Sequence, residues 1–204
     1  MIAVINYGMG NSGSILNMIK KIGADAIITN KKEEIQKADK IILPGVGTFD
    51  NGMSNLCDLG LTEVIKNVVL KERKPFLGIC LGMQLLGRSS EEGSMKGLNL
   101  IPFESKKFSF DSSLNLKIPH MGWNIVKFNM NDPLFANIKG TQRYYFVHSY
   151  HAVCDFAENS LISCYYGYKF TAAVKKDNIY GVQFHPEKSH KFGMKLMENF
   201  VGGI

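Results

Sequence analysis

The feature that most constrains this chain is an alternation in its first half between short apolar runs and segments of helical period. Residues 2–5, 26–29, 40–43 and 76–79 are runs of strand character. Between the first two, Ile15, Met18, Ile19 and Ile22 recur at the spacing of one helix face, which Gly23 ends. Between the last two, Leu61, Val64, Ile65, Val68 and Val69 form a second such face that stops before Pro75. Strands separated by helices pair in parallel, so the expected fold is α/β, with a mostly parallel central sheet flanked by helices.

From about residue 97 the texture changes to short runs rich in Phe, Tyr, Val and Ile, broken by Gly, Pro, Asn and Asp. Residues 123–128, 144–147, 161–165, 170–174 and 179–184 are expected strands, which adds antiparallel pairs to the sheet. A last helix over 189–201 would pack through Phe192, Leu196, Met197 and Phe200. No repeat, low-complexity tract or linker divides the chain. With 204 residues and 45% hydrophobic content it is expected to form a single domain over 1–204.

Composition excludes several function classes. The N-terminus has no basic leader, and no stretch approaches the roughly 18 apolar residues of a membrane span, so a soluble cytoplasmic protein is expected. Cys57, Cys80, Cys154 and Cys164 are scattered without C-x-x-C pairing, which suggests reduced thiols and neither a disulfide framework nor a metal site. The net charge of +6 comes mainly from dispersed lysines, with only Arg73, Arg88 and Arg143 beside them. Such a distribution is a solvated surface and not a nucleic-acid footprint.

Chemistry enters at Gly78-Ile79-Cys80-Leu81-Gly82. The run 76–79 is a buried strand by composition and Leu81 to Leu86 continues as helix, so Cys80 stands where strand becomes helix. A nucleophile elbow needs small neighbours, which Gly78 and Gly82 supply. Free N–H groups of the following helix would favour a thiolate, and the Leu81 N–H lies where an oxyanion would form. A buried structural cysteine beside packing glycines reads equally well from this turn alone.

A thiol nucleophile needs a base, and the base an orienting group. Gly181-Val182-Gln183-Phe184-His185-Pro186-Glu187 ends a strand pattern with a histidine and a carboxylate two residues apart, on the same side of an extended chain. Pro186 keeps His185 extended and blocks an immediate helix. His120, His148 and His151 have no nearby carboxylate in sequence and read as hydrogen-bonded structural histidines. His190 reads as solvated.

Once these residues are placed, the chain resembles the class I (triad) glutamine amidotransferases, whose flavodoxin-like domain carries G-x-C-x-G in the middle and H-P-E near the end. Six ordered motifs look like the glutaminase subunits of imidazole glycerol phosphate synthase. They are Tyr7-Gly8-Met9-Gly10-Asn11, Leu43-Pro44-Gly45-Val46-Gly47, Gly78-Ile79-Cys80-Leu81-Gly82-Met83-Gln84, Pro119-His120-Met121-Gly122-Trp123-Asn124, Tyr145-Phe146-Val147-His148-Ser149-Tyr150 and Gly181-Val182-Gln183-Phe184-His185-Pro186-Glu187-Lys188-Ser189. The resemblance implies Cys80 as nucleophile, His185 as base and then acid, and Glu187 as its orienter. It implies an oxyanion hole from Gly47 and Leu81, with the Val46 peptide turned correctly, and a glutamine site from Gln84, Ser149 and Tyr150. It further implies no cofactor and no metal. The partner would be a (β/α)8-barrel cyclase that receives the ammonia in a heterodimer, with Asn11, Trp123 and Lys188 near the partner face.

The chain departs from that pattern at Asn6, where an aspartate is usual, at Ser12-Gly13-Ser14, and after Leu86. These features resemble a paralogous branch that supplies ammonia to other synthases, including those modifying surface sugars, so the acceptor stays open. Other readings stay open beside it. Gly8-Met9-Gly10-Asn11-Ser12-Gly13 matches a dinucleotide-binding G-x-G-x-x-G, although 29–31 reads Thr-Asn-Lys with no acid for a ribose. A non-catalytic amidotransferase-like binding module and another thiol hydrolase are the remaining two.

Overall fold

The alternation appears as expected in the structure, a computed structural model that describes residues 1–204. β1 (Ile2–Ile5) leads through α1 (Ser12–Lys21) to β2 (Ala26–Thr29), and α2 (Lys32–Lys37) leads to β3 (Lys40–Gly45). Then α3 (Phe49–Asp58), α4 (Leu61–Lys66) and a π-helical turn at Asn67–Lys71 return the chain to β4 (Phe76–Cys80), which runs directly into α5 (Leu81–Gln84). The second half holds β5 (Ser89–Ser90), β6 (Phe103–Lys107), β7 (His120–Phe128), β8 (Gln142–His148), β9 (Tyr150–Cys154), β10 (Ser160–Tyr166), β11 (Tyr168–Lys176), β12 (Ile179–Val182) and α6 (His190–Gly203).

The main sheet runs β2-β1-β3-β4-β12-β11-β10-β7-β8, with β5, β6 and β9 attached to its side. From β2 to β12 all neighbours are parallel, and from β12 onward they are antiparallel. Both faces of the parallel part are covered, which is why its strands read as unbroken apolar runs. Ile2 and Val4 face a core closed by Ile15 and Ile19 of α1 and by Leu196 and Phe200 of α6. Ala3 and Ile5 face the opposite core, closed by Phe49 and Leu56 of α3 and Ile65 of α4. Lys40 Nζ holds the free carbonyls at the end of α6, at 2.9 Å from Phe200 and 2.7 Å from Val201.

β12 joins the two halves of the sheet. It forms a hairpin with β11 yet lies parallel to β4, with Gly181 opposite Gly78 and Val182 opposite Ile79. On its other side β4 pairs with β3, which sets Gly45 opposite Cys80. The chain therefore leaves the sheet at the same end after β3, β4 and β12, the end at which open α/β sheets bind their ligands.

Some elements differ from the sequence expectation. α5 is a single turn and does not continue to Leu86: the chain bends at Gly87, where a Cβ would lie 2.6 Å from the Phe103 ring and 2.8 Å from its carbonyl oxygen. β12 ends at Val182 and not at 184. α2, α3, β5, β6 and β9 were not expected. No helix is long and apolar enough to cross a membrane.

Candidate active site

Cys80 sits at the junction of β4 and α5 with φ 54° and ψ −110°, a left-handed conformation that is strained for any residue with a side chain. The strain is held by close backbone approach around it. A Cβ on Gly82 would lie 1.8 Å from the Leu43 carbonyl oxygen of β3, and one on Gly78 would lie 2.5 Å from the Gly82 oxygen. The two glycines therefore let β3, β4 and the first turn of α5 pack into one tight corner that projects the thiol. A single turn has almost no macrodipole, so the expected help to a thiolate from the following helix reduces to its free backbone N–H groups.

His185 faces this corner from the end of β12. Its backbone is extended, its N–H donates to the Tyr145 carbonyl at 2.9 Å, and its carbonyl accepts from Ser189 Oγ at 2.7 Å. Nδ1 lies 2.8 Å from Glu187 Oε1, and both side chains are almost wholly buried. His185 stays extended before Pro186 as expected, but the contact is made through a 3-10 turn, Pro186–Lys188, so the same-side extended geometry and the block on an immediate helix give way to a turn that Pro186 opens. Because a carboxylate only accepts, Nδ1 carries the hydrogen and Nε2 is left to act on the thiol. Nε2 is buried without a nitrogen or oxygen partner, on the side of the ring that faces the sulphur. Burial alone would lower the imidazole pKa, but the neighbouring Cys80 and the Glu187 hydrogen bond outweigh it and push it up to about 9. The site thus favours the imidazolium form of His185.

A cavity of about 290 Å³ opens above the sulphur. Of the expected residues, Val46, Gly47, Leu81, Gln84, Ser149 and Tyr150 line it together with Cys80 and His185. Gly47 has φ +118°, Val46 is half exposed, and the N–H of Leu81 is the first of α5. Gln84 is buried and its Nε2 donates to the Tyr150 carbonyl at 3.3 Å. A larger cleft of about 580 Å³ runs along residues 128–138, far in sequence from the triad and without a thiol or histidine.

Sequence reasoning missed Glu92, the single acidic residue among those lining the cavity. Its Oε2 accepts from the Phe49 N–H at the start of α3 at 2.8 Å. Asp50 fastens the same loop by accepting from the backbone N–H groups of Ser94 and Met95 at 2.9 and 3.0 Å, bonds that hold its pKa below the usual carboxylate range. No motif marks Glu92. The only signal was a carboxylate pair closely following the elbow.

Asn11, Trp123 and Lys188 do not line the cavity. Asn11 caps α1, its Oδ1 accepting from the Ser14 N–H at 3.2 Å. Trp123 is 42% exposed on β7 between the exposed Met121 and Ile125, with the Arg143 guanidinium 5.4 Å from its ring and His190 stacked on it at 5.7 Å. Lys188 lies over the Tyr145 ring at 5.7 Å. His120, His148 and His151 are buried and hydrogen-bonded, and burial pushes the first two down to about 4 and about 3.

The family model of class-I glutamine amidotransferases matches residues 3–203. The chain belongs to that family. Its relatives include imidazole glycerol phosphate synthase subunit HisH 2 of Methanococcus maripaludis, 60% identical over 201 residues with 98% of each chain covered. HisH 2 of Pseudomonas aeruginosa is 51% identical at the same coverage, and HisH 1 of Campylobacter jejuni is 48% identical over 98% of this chain and 99% of that one. Among solved structures, a glutamine amidotransferase superposes with TM-score 0.74 at 16% identity, covering 98% of this chain and 97% of that one. PurLQS from Thermotoga maritima superposes with TM-score 0.71 at 18% identity, covering 98% and 96%. These two likenesses bear on the fold of this amidotransferase alone.

Proposed function

We propose that the chain, a single amidotransferase domain over 1–204, is the glutaminase subunit of an imidazole glycerol phosphate synthase in histidine biosynthesis and works in the cytoplasm. The observation that carries this reading is that Cys80 and His185 line one cavity, with Glu187 hydrogen-bonded to the His185 ring, in a chain 60% identical to a HisH subunit.

The Cys80 thiolate attacks the side-chain carbonyl carbon of glutamine, and the oxygen gains charge toward the N–H groups of Leu81 and of the Val46 to Gly47 peptide. His185 gives its Nε2 proton to the amide nitrogen as the C–N bond breaks, which releases ammonia and leaves a thioester. His185, now neutral, takes a proton from water, and the resulting hydroxide attacks the thioester. Collapse returns glutamate and the thiolate, with the proton back on His185. Glu187 holds the imidazole in one tautomer throughout. Gln84, Ser149 and Tyr150 frame the amino-acid end, and Glu92 meets its ammonium. The ammonia passes to a (β/α)8-barrel cyclase in a heterodimer, against a face that includes Asn11, Trp123 and Lys188. A cavity of about 290 Å³ suits one amino acid better than a peptide, which argues against a peptidase.

The test is Cys80→Ala in the complex. Glutamine-dependent synthesis should vanish while synthesis from added ammonia persists. Residual glutamine hydrolysis, or failure of ammonia to rescue, would overturn the assignment. A second reading, in which another synthase receives the ammonia, draws support from Asn6 and from relatives named as numbered subunits. Reconstitution with the histidine-pathway cyclase separates the two: only a histidine-pathway subunit should yield glutamine-dependent imidazole glycerol phosphate.

A further inference from the structure

The Cys80 sulphur has a polar neighbour that belongs to neither His185 nor Glu187. Gln183 has no exposed surface, and its Nε2 lies 3.8 Å from Sγ. Which end of the carboxamide faces the sulphur is fixed by a chain of groups of known polarity. The Tyr150 carbonyl can only accept, so Gln84, whose Nε2 is 3.3 Å away, turns its NH₂ to that side. The same NH₂ reaches Gln183 Oε1 at 3.1 Å. With its oxygen occupied as an acceptor, Gln183 presents its own NH₂ to Cys80.

The Tyr150 carbonyl is held from the other side as well. His148 Nδ1 is 2.8 Å from it and must carry a hydrogen. Burial keeps His148 neutral, so its Nε2 is bare and accepts from His120 Nδ1 at 3.0 Å. His120, also kept neutral by burial, then accepts at Nε2 from Asn124 Nδ2 at 3.2 Å. The His120 ring is sandwiched at 4.9 Å from Phe146 and 4.1 Å from Tyr166, which shields the chain from water. From Asn124 to the sulphur, each member has a single orientation.

We propose that Gln183 is a further catalytic residue, whose amide N–H donates to Cys80 Sγ, stabilises the thiolate and aims it at the substrate carbon. Gln84, the Tyr150 carbonyl, His148 and His120 are positioning groups that keep that N–H turned to the sulphur. The proposal rests on the reading of Cys80 as nucleophile. Gln183 transfers no proton and leaves the stoichiometry of the reaction unchanged.

The test is alkylation of the full chain by iodoacetamide near neutral pH, read by mass spectrometry on the Cys80 peptide with the exposed Cys57 as internal reference. Gln183→Met removes the donor at similar volume, and Gln183→Glu keeps the shape but turns a carboxylate oxygen to the sulphur. Relative to Cys57, Cys80 should react about tenfold more slowly in the first variant and more slowly still in the second. The kcat for glutamine hydrolysis should fall in the same order with KM nearly unchanged. A merely structural glutamine would lower thermal stability and leave the alkylation rate alone, so wild-type reactivity in both variants overturns the proposal, as does a rise in KM without loss of kcat. If Gln183→Met does not fold, wild-type protein carrying ¹⁵N in its glutamine side chains decides. One Gln183 N–H proton should move across the pH range in which Cys80 becomes reactive, and the proposal is overturned if neither does. Alkylation reads the sulphur and not turnover, so its failure is distinct from Cys80→Ala retaining activity, which would sink the nucleophile assignment itself.

Discussion

In the proposed function, charge recognition falls to Glu92. A free amino acid brings an ammonium and a carboxylate into a cavity whose only acidic lining residue is Glu92. Replacing it with glutamine keeps an oxygen for the Phe49 N–H, so α3 stays capped, and removes only the negative charge. A hydrogen bond between charged groups contributes about 1.5–3 kcal/mol, so Glu92→Gln should raise KM for glutamine roughly ten- to a hundredfold with a smaller change in kcat. Steady-state kinetics check this, and an unchanged KM would remove Glu92 from the binding site. That Cys80, His185 and Glu187 come together was legible because each sits in a short local pattern. Glu92 and Gln183 were not, because their places beside the site arise only where distant segments meet: Glu92 reaches α3 across 43 residues and Gln183 reaches Cys80 across 103.

At the scale of elements, the elbow depends on the approach of β3 to α5. Gly82→Ala places a Cβ 1.8 Å from a backbone oxygen of β3, an atom that no side-chain rotation can move aside. Relieving the overlap requires a backbone shift of about 1–3 kcal/mol at the corner that aims Cys80. The expected result is a lower Tm and a much reduced kcat, while Gly202→Ala, with nothing within 4 Å of the added carbon, should leave both near wild type. Thermal denaturation and glutaminase assays compare the pair, and equal behaviour would refute the packing argument. The same physics explains which elements could be read from sequence. β1, β3 and β4 are buried on both faces and so appear as continuous apolar runs. α3 was hidden because Asn51, Gly52 and Asn55 are weak helix formers, although Phe49, Met53 and Leu56 supply its buried face. β6 and β9 were hidden because lysine, serine and histidine interrupt their alternation, and their pairing with each other compensates for that.

For the whole molecule, the buried histidines set how stability responds to pH. His120 and His148 lie in the core of the antiparallel half with pKa values pushed by burial to about 4 and about 3, and His151 is lowered for the same reason. Their unfolded value is about 6.5. Since the folded pKa lies below the unfolded one, the unfolded chain binds these protons first as pH falls. The stability they allow is intact above about pH 6.5 and declines as pH drops toward 4 and then 3. Each such proton contributes about 1.4 kcal/mol per pH unit, so the loss becomes comparable with the roughly 5–15 kcal/mol of a typical domain before the surface carboxylates titrate. His185 acts with the opposite sign. Its folded pKa of about 9 exceeds the unfolded value, so its contribution is present below about pH 6.5 and fades as pH rises through 9. Urea unfolding from about pH 9 to about pH 5 should therefore show a maximum near about 6.5, with a gradual decline toward 9 and a steeper fall on the acid side. His120→Phe, placed among Phe146 and Tyr166, removes one titrating group from that cluster and should flatten the acid limb. A wild-type unfolding free energy that stays level down to about pH 5 would mean that these histidines find protons or water in the folded state, and the directed chain from Asn124 to Cys80 would lose the fixed tautomers on which it depends.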